Sequence, residues 1–395
     1  MNFFEKNYHF WRLTVPFRLL ASAALILVAK LVGSLIVYHI LNVPSTGSFW
    51  VGNLIVNGIQ NQVLQQVDSP WCSLYLGWDS AWYLSILTYG YTFSAQSLAF
   101  FPGFPLVSSF LDLGIQNAAA SLAFCSLFFG VLYVPVYQLV AELYLSKPVA
   151  FLSTLLFALF PFVFLFTTVA YSESILLFFV LLSWLLFKKG KTAYASLSAA
   201  VAAISRAVGI VIIIPMAIEI LTGKSLHKKR DLALCFLPAA AFLAWLVYGQ
   251  IVANDWLAFI HTTDWKDMYS FREFIFQVLP QNGLQGFTDL SSHNPFLPLA
   301  ACAYIIVPSF LIAELRKTSK SLTAYSLVYF LGVLTFGAMM SLPRFMSILF
   351  PLWIALMSRF VVNKPSVILL CGVFVVFFVW SVYLWMKFLS GVFVG

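Results

Sequence analysis

Four ionisable residues stand among long apolar runs, where ionisable residues are costly. Asp79 lies between Trp78 and Trp82 in GWDSAWYLSILTYGYTF, Glu173 lies in AYSES, Arg206 follows Ser205, and Arg344 follows Leu342-Pro343. A carboxylate can take a proton from a hydroxyl, and a planar guanidinium can hold two oxygens of a phosphate or carboxylate at once. The same four groups can also do no more than pair with one another and lock helix ends together. Asp79 has a double reading of its own. It precedes an amphipathic run, Ser80–Tyr89, so it can cap the free N–H groups of a helix's first turn, or it can be a working carboxylate at a membrane surface.

Composition says what must position these groups. Of 395 residues, 62% are hydrophobic and only 9% charged, with a mean hydropathy of +0.94. A soluble domain is nearer half apolar and a quarter charged, so the chain reads as a multi-span membrane protein. Its net charge of +8 then reflects basic cytoplasmic loops, not nucleic-acid binding. The five cysteines are scattered singly, so neither a disulfide framework nor a zinc site is expected. No glycine-rich nucleotide loop occurs, and no cofactor or metal is expected.

Apolar runs and basic punctuation predict an all-α polytopic fold: one integral membrane domain over 1–395, with about 11 transmembrane or partly spanning helices. Spans are expected at about 17–41, 116–144, 149–169, 173–187, 232–250, 296–314, 322–340, 345–358 and 366–389. Two shorter helices, about 192–204 and 207–221, are expected to turn at Ser205-Arg206 without fully crossing. Sixteen of the 22 Lys and Arg then fall on one side, which becomes the cytoplasmic side and takes the N-terminus. The other side receives a long loop, 42–115, and a second loop, 251–294. In the first, Ser80–Tyr89 is too short to span and reads as a helix in the membrane interface. The second carries Asp255, His261, Asp264, Trp265, Lys266, Asp267, Arg272 and Glu273. On this topology Asp79, Glu173, Arg206 and Arg344 are level with one another on the extracytoplasmic side. Lys30 sits midway along the first span, either paired or reaching into the same chamber. His261 reads either as a surface residue or as a substrate group.

Several of these stretches resemble one family. GWDSAWYLSILTYGYTF followed by LAFFPGFPLV is similar to the hallmark of PIG-V-like mannosyltransferases, the family of GPI mannosyltransferase II. AYSES resembles its Tyr-(Ser/Thr)-Glu-Ser signature, and Ser205-Arg206 its (Ser/Thr)-Arg step, although Ala207-Val208 replaces the usual polar pair. Leu342-Pro343-Arg344 followed by Phe350-Pro351-Leu352 resembles its C-terminal stretch, and Asp255–Phe259 to Trp265 a loop of prokaryotic members. The resemblance runs from about 77 to 360 and keeps the order of the motifs.

What the resemblance implies is a GT-C-like bundle and an inverting hexosyltransferase. The donor would be a polyprenyl- or dolichyl-phosphate-linked mannose, and the acceptor a hydroxyl of a glycolipid or glycan. Asp79 would be the catalytic base, Arg206 and Arg344 would bind the donor phosphate, and Glu173 would orient an arginine or bind sugar hydroxyls. Trp78, Trp82 and Tyr91 would stack on sugars or anchor the interfacial helix. The competing reading is a transporter or flippase of a lipid-linked or anionic substrate, which explains broken helices and intramembrane charge equally well. A non-catalytic scaffold, with Asp79 only a cap, is a third. The lack of any Asn-x-Ser/Thr site leans toward a prokaryotic plasma membrane over the endoplasmic reticulum, and against a GPI acceptor.

Overall fold

Apolar side chains on every face of a segment leave its backbone no water to bond, so helices that satisfy their own N–H and C=O groups are what such a sequence can form. The computed structural model describes residues 15–41, 70–223, 228–261, 297–336, 341–360 and 367–390. Among these every regular element is helical, so the all-α polytopic architecture holds. In chain order the helices are α1 (Val15–Leu41), α2 (Asp79–Tyr89), α3 (Gly103–Ile115), α4 (Ala118–Ala141), α5 (Lys147–Leu159), α6 (Pro161–Phe166), α7 (Glu173–Lys188) and α8 (Thr192–Ser205). They continue with α9 (Ile213–Thr222), α10 (Lys228–Cys235), α11 (Leu237–Ala253), α12 (Leu297–Leu315), α13 (Lys320–Phe336), α14 (Leu342–Ser347), α15 (Pro351–Phe360) and α16 (Val367–Leu389). Among the described residues four stretches are long and apolar enough to cross a membrane: Phe17–Leu41, Ala118–Ala141, Lys228–Ala253 and Gly372–Leu389. Residues 42–69, 262–294 and the basic positions Lys6, Arg12, Lys224 and Lys364 lie outside the described residues.

Several expected spans are broken, and proline is a common cause. The span expected at 149–169 divides into α5 and α6 at Phe160-Pro161. A residue before proline is pushed out of the helical region, and Phe160 takes φ −57°, ψ 130°. The one expected at 345–358 begins earlier and divides into α14 and α15, with Pro343 opening the first and Pro351 the second. The span expected at 232–250 likewise starts earlier, as α10, and restarts as α11 with Pro238 in its first turn. The turn expected at Ser205-Arg206 is present: Arg206 is extended (φ −160°, ψ 152°) between α8 and a 3₁₀ stretch, Ala207–Ile212.

From residue 70 on, the long loop expected at 42–115 is largely helical. Gly103–Ile115 forms α3, which turns at Gln116 (φ 54°) into α4, whose first turn is capped by the Asn117 side chain accepting from Ala120 N at 2.8 Å. The short helix of the opening motif forms as α2, one residue earlier than expected. Ser80 through Ile86 are all buried, so protein holds it on most sides, and exposure is confined to Asp79 at its start and to its C-terminal end.

Polar contacts tie one end of the bundle. Arg18 faces Glu142 at 3.5 Å, Trp184 donates to the Tyr144 hydroxyl at 3.1 Å, Lys188 pairs with Glu219 at 2.8 Å, Ser321 donates to Glu219 at 2.9 Å, and Arg359 faces Glu314 at 3.7 Å. The ends of α1, α4, α7, α9, α12, α13 and α15 therefore share a level, as the alternation of spans requires. Above them a core of Tyr133, Tyr137, Phe157, Trp184, Phe350 and Trp353 joins α4, α5, α7 and α15.

Two glycines let helices meet backbone to backbone. A Cβ on Gly130 of α4 would lie 1.9 Å from the Thr167 carbonyl, and one on Gly209 would lie 2.0 Å from the Ala202 carbonyl. Gly130→Ala is expected to destabilise by about 1–3 kcal/mol, since fixed backbone cannot give way. Gly332 of α13 has nothing within 4 Å of its added Cβ, so Gly332→Ala is expected to be neutral or to stabilise. Thermal unfolding of the purified protein in detergent compares the two; equal midpoints would refute the close contact.

Candidate active site

The site is built where helices break. Between the end of α6 and the start of α7, residues 167–172 run without helical hydrogen bonding to one another through the bundle interior, and all are buried. Irregular backbone at such depth persists only where other protein groups satisfy it. Here Val169 O accepts from Ser126 Oγ at 2.5 Å and Ala170 N donates to Tyr75 O at 2.7 Å. The turn between the spans expected at 149–169 and 173–187, Ala170 to Glu173, is therefore enclosed. Glu173 opens α7, where a carboxylate is favoured by the helix dipole.

The sequence-predicted charges come together at this point. Arg344 Nε and Arg206 Nη1 both donate to Glu173 Oε1, and Arg344 Nη1 donates to Asp79 Oδ2 at 3.1 Å. Arg206 Nη1 also approaches Ser172 Oγ at 3.5 Å. Two acids and two arginines thus balance one another in a chain of ion pairs. Their exposure differs in a useful way: Glu173 is 0% exposed and Arg344 6%, but Arg206 is 18% and Asp79 24% exposed. Asp79 is the acid that reaches outward, and Arg206 is the more accessible arginine.

Aromatic rings wall the array. The Arg344 guanidinium lies 4.5 Å from the Tyr171 ring centroid and 4.6 Å from that of Phe166, while Arg206 lies 5.0 Å from Phe345. Rings at this range attract a cation, and they also exclude the water that would weaken the ion pairs. The Tyr171 hydroxyl accepts the backbone N–H of Asp79 at 3.1 Å, and Tyr83 OH donates to Ser172 Oγ at 3.0 Å. Burial pushes the Tyr83 phenol up to about 12, so it stays protonated and keeps donating.

The capping role considered for Asp79 is not what the structure has. Asp79 is itself the first residue of α2, Trp78 is the N-cap, and no side chain caps this end. The Asp79 carboxylate goes to Arg344 instead. Trp78 carries a positive φ of 49°, a strained conformation for a bulky residue that survives only where neighbours hold it. Its indole N–H donates to Phe388 O at 3.2 Å, and a Cβ on the preceding Gly77 would strike the Phe388 ring at 2.7 Å. α16 thereby presses on the backbone that presents Asp79.

The arginines, expected to bind the donor phosphate with Glu173 orienting one of them, are both engaged by Glu173, and Arg344 by Asp79 as well. Trp82 is buried and stacked on Phe100 (5.4 Å, 15°), which leaves it a packing role. Tyr91 donates to Phe100 O at 2.8 Å and packs edge-on against Trp245. His261 is outside the charged array; its Nδ1 is 2.8 Å from Asp255 Oδ2. The Leu257 N–H, donating to Asp255 at 2.8 Å, holds that carboxyl below the usual carboxylate range. Tyr171, Ser172, Tyr83 and Phe166 were not singled out individually by sequence reading. The signal for the first two was the hydroxyl-rich run TTVAYSES inside an apolar stretch. Among the described residues no three His, Cys, Asp or Glu side chains group so as to hold a metal ion.

No family model and no curated protein matches this chain. Among solved structures it is similar to an Archaeoglobus fulgidus oligosaccharyltransferase crystallised with Zn and sulfate, at 14% identity and a TM-score of 0.47, over 93% of this chain and 53% of that one. It is also similar to the oligosaccharyltransferase AglB of the same organism in complex with an inhibitory peptide and a dolichol-phosphate, at 14% identity and a TM-score of 0.45, over 94% and 56% of the two chains. The chain spans about half the length of these structures.

Removing one partner from a buried charge array leaves another uncompensated. Glu173→Leu, which strands two arginines, is expected to cost about 3–5 kcal/mol. Lys188→Ala breaks the half-exposed pair with Glu219 (30% and 28% exposed) and is expected to cost no more than about 1 kcal/mol. Comparable losses in the two unfolding curves would argue against a dry, coupled array.

Proposed function

We propose that this chain is a GT-C-like glycosyltransferase that moves a sugar from a polyprenyl-phosphate carrier to a hydroxyl of a glycolipid or other lipid-linked glycan. The sugar is mannose in the reading that the motif resemblance favours, and the reaction inverts the anomeric centre. The single observation that carries this reading is the partly exposed Asp79 carboxylate, held by Arg344 at the open edge of a buried array of two acids and two arginines. A base for a hydroxyl proton and cations for a departing phosphate are the two things such a transfer needs.

In this mechanism the acceptor oxygen attacks the anomeric carbon from the face opposite the phosphate. The carbon–oxygen bond to the carrier breaks, and its electron pair leaves on the phosphate. The acceptor proton passes to Asp79. Arg206, the more exposed arginine, meets the leaving phosphate, while Arg344 stays fixed between both acids and orients Asp79. Glu173 is a positioning residue, since its carboxylate is buried beneath both guanidiniums. The basic bias of the opposite end assigns that end to the cytoplasm, so transfer takes place on the extracytoplasmic side of a multi-pass membrane protein. The first loop, 42–115, carries the proposed base, and the second, 251–294, belongs to the same face.

One feature favours the transporter reading: the helix breaks at Arg206, between α8 and the 3₁₀ stretch, beside the buried charges, and many transporters bind substrate at helices broken at depth. The two readings part on Asp79. Asp79→Asn is expected to lower transfer from polyprenyl-phosphate mannose to a glycolipid acceptor by about 10²–10⁴-fold with its folding intact. A mutant as fast as wild type would exclude Asp79 as the base. Wild-type protein that moves the lipid-linked sugar across a vesicle bilayer, yet forms no glycosidic bond, would establish the transporter reading instead. Arg206→Ala is expected to weaken donor use more than acceptor use, read as a rise in the donor KM.

A further inference from the structure

Lys30 is fully buried in the middle of α1, 11 residues from that helix's end, and none of its hydrogen-bond partners is charged. An ionisable group at such depth needs a reason, and the charged array does not include it. Its ammonium carries three donors. Two go to Thr168 Oγ1 at 2.7 Å and Thr167 Oγ1 at 2.9 Å, and the third is aimed at Phe164 O at 3.4 Å. The two threonine hydroxyls in turn donate to carbonyls at the end of α6, Val163 O and Phe164 O. Lys30 therefore closes the carbonyl end of a helix that stops inside the bundle, where a cation is favoured and water is absent.

The same turn of α1 grips the following residues by a second route. Ser34 Oγ donates to Lys30 O and shares a hydrogen bond with Tyr75 OH, both at 2.8 Å, and Tyr75 O accepts from Ala170 N at 2.7 Å. From there the segment runs directly into the site: Tyr171 receives the Asp79 N–H and underlies Arg344, Ser172 receives Tyr83, and Glu173 receives both arginines. Gly130 supports the arrangement from α4, since a Cβ there would lie 1.9 Å from Thr167 O and 3.4 Å from Lys30 Nζ.

We propose that Lys30 is a positioning residue: by holding Thr167 and Thr168 it fixes the 167–173 segment and, through Tyr171 and Glu173, the placement of Arg344 and Asp79. Its kinetic consequence rests on the transferase reading; its structural consequence does not. Lys30→Met keeps an unbranched side chain one atom shorter and removes the donors. It is expected to lower kcat about 100-fold while leaving the donor KM within about threefold, because displacing a reacting group by about 1 Å is enough for a loss of that size. Combined with Tyr171→Phe, the loss is expected to fall well short of the product of the single losses, as it must when both act through one segment. Full activity of Lys30→Met, or losses that multiply, would overturn the proposal.

Should Lys30→Met fail to fold, Thr168→Val removes one acceptor of the same ammonium and is expected to show the same split, with a smaller fall in kcat. An unchanged kcat in Thr168→Val would count against the proposal. A second readout needs no activity. In thermal unfolding, the shifts caused by Thr168→Val and Arg344→Met are expected to be non-additive, and additive shifts would overturn the proposal even if the transferase reading stands. Non-additive shifts in a protein that transfers no sugar would leave Lys30 as a positioning residue and discard only the transferase reading.

Discussion

One carboxylate oxygen, Glu173 Oε1, accepts from two arginines in a dry interior, and the rest of the site depends on it. A lone charge placed there would be prohibitive, and so would two guanidiniums without an acid. Each member is tolerable only because the others are present. The contact spans 33 residues to Arg206 and 171 to Arg344, so it ties α7 to the break after α8 and to α14 near the far end of the chain. Asp79 joins as a further partner of Arg344, on the side where it and Arg206 are partly exposed. A group that is at once paired, oriented and reachable is what a proton-transfer site requires.

Broken helices make that convergence possible. A continuous helix passes its side chains across the bundle at fixed intervals, and its backbone is fully occupied. Where α6 stops and α7 starts, where Arg206 is extended, and where α14 gives way to α15, side chains and backbone groups are free to face one another. The freed groups then need partners, and the bundle supplies them. Ser126, Tyr75, Lys30, Tyr83 and the Asp79 N–H together hold the run from Thr167 to Ser172. Close backbone contacts do the rest. Gly103 of the Phe-Phe-Pro-Gly-Phe-Pro turn sits against Ser205, where an added Cβ would lie 2.8 Å from the Ser205 Cα, so the opening motif bears directly on the residue before Arg206.

The sequence alone determined the class of fold and the identity of the charged residues. Apolar composition over this length admits only a membrane bundle, basic punctuation marks the ends that gather at one level, and the cost of intramembrane charge singles out Asp79, Glu173, Arg206, Arg344 and Lys30. Pattern also located the break at Ser205-Arg206, since two basic clusters separated by so short a run leave no room for two crossings. Pro161 and Pro351, by contrast, interrupt stretches whose hydropathy is continuous, and hydropathy does not register a missing N–H.

Who pairs with whom was decided only in three dimensions. Asp79 reads along the chain either as a helix cap or as a working carboxylate; α2 begins at Asp79 and the carboxylate turns to Arg344. Trp82 and Tyr91 read as anchors of the interfacial helix or as sugar platforms, and packing against Phe100 and Trp245 gave them their places. Lys30 could not be assigned from its position, because its partners lie 134 to 138 residues away at the C-terminal end of α6. Composition and local propensity act over a few residues and are therefore written along the chain. The pairing of buried charge depends on which broken ends meet, and that is a property of the packed bundle.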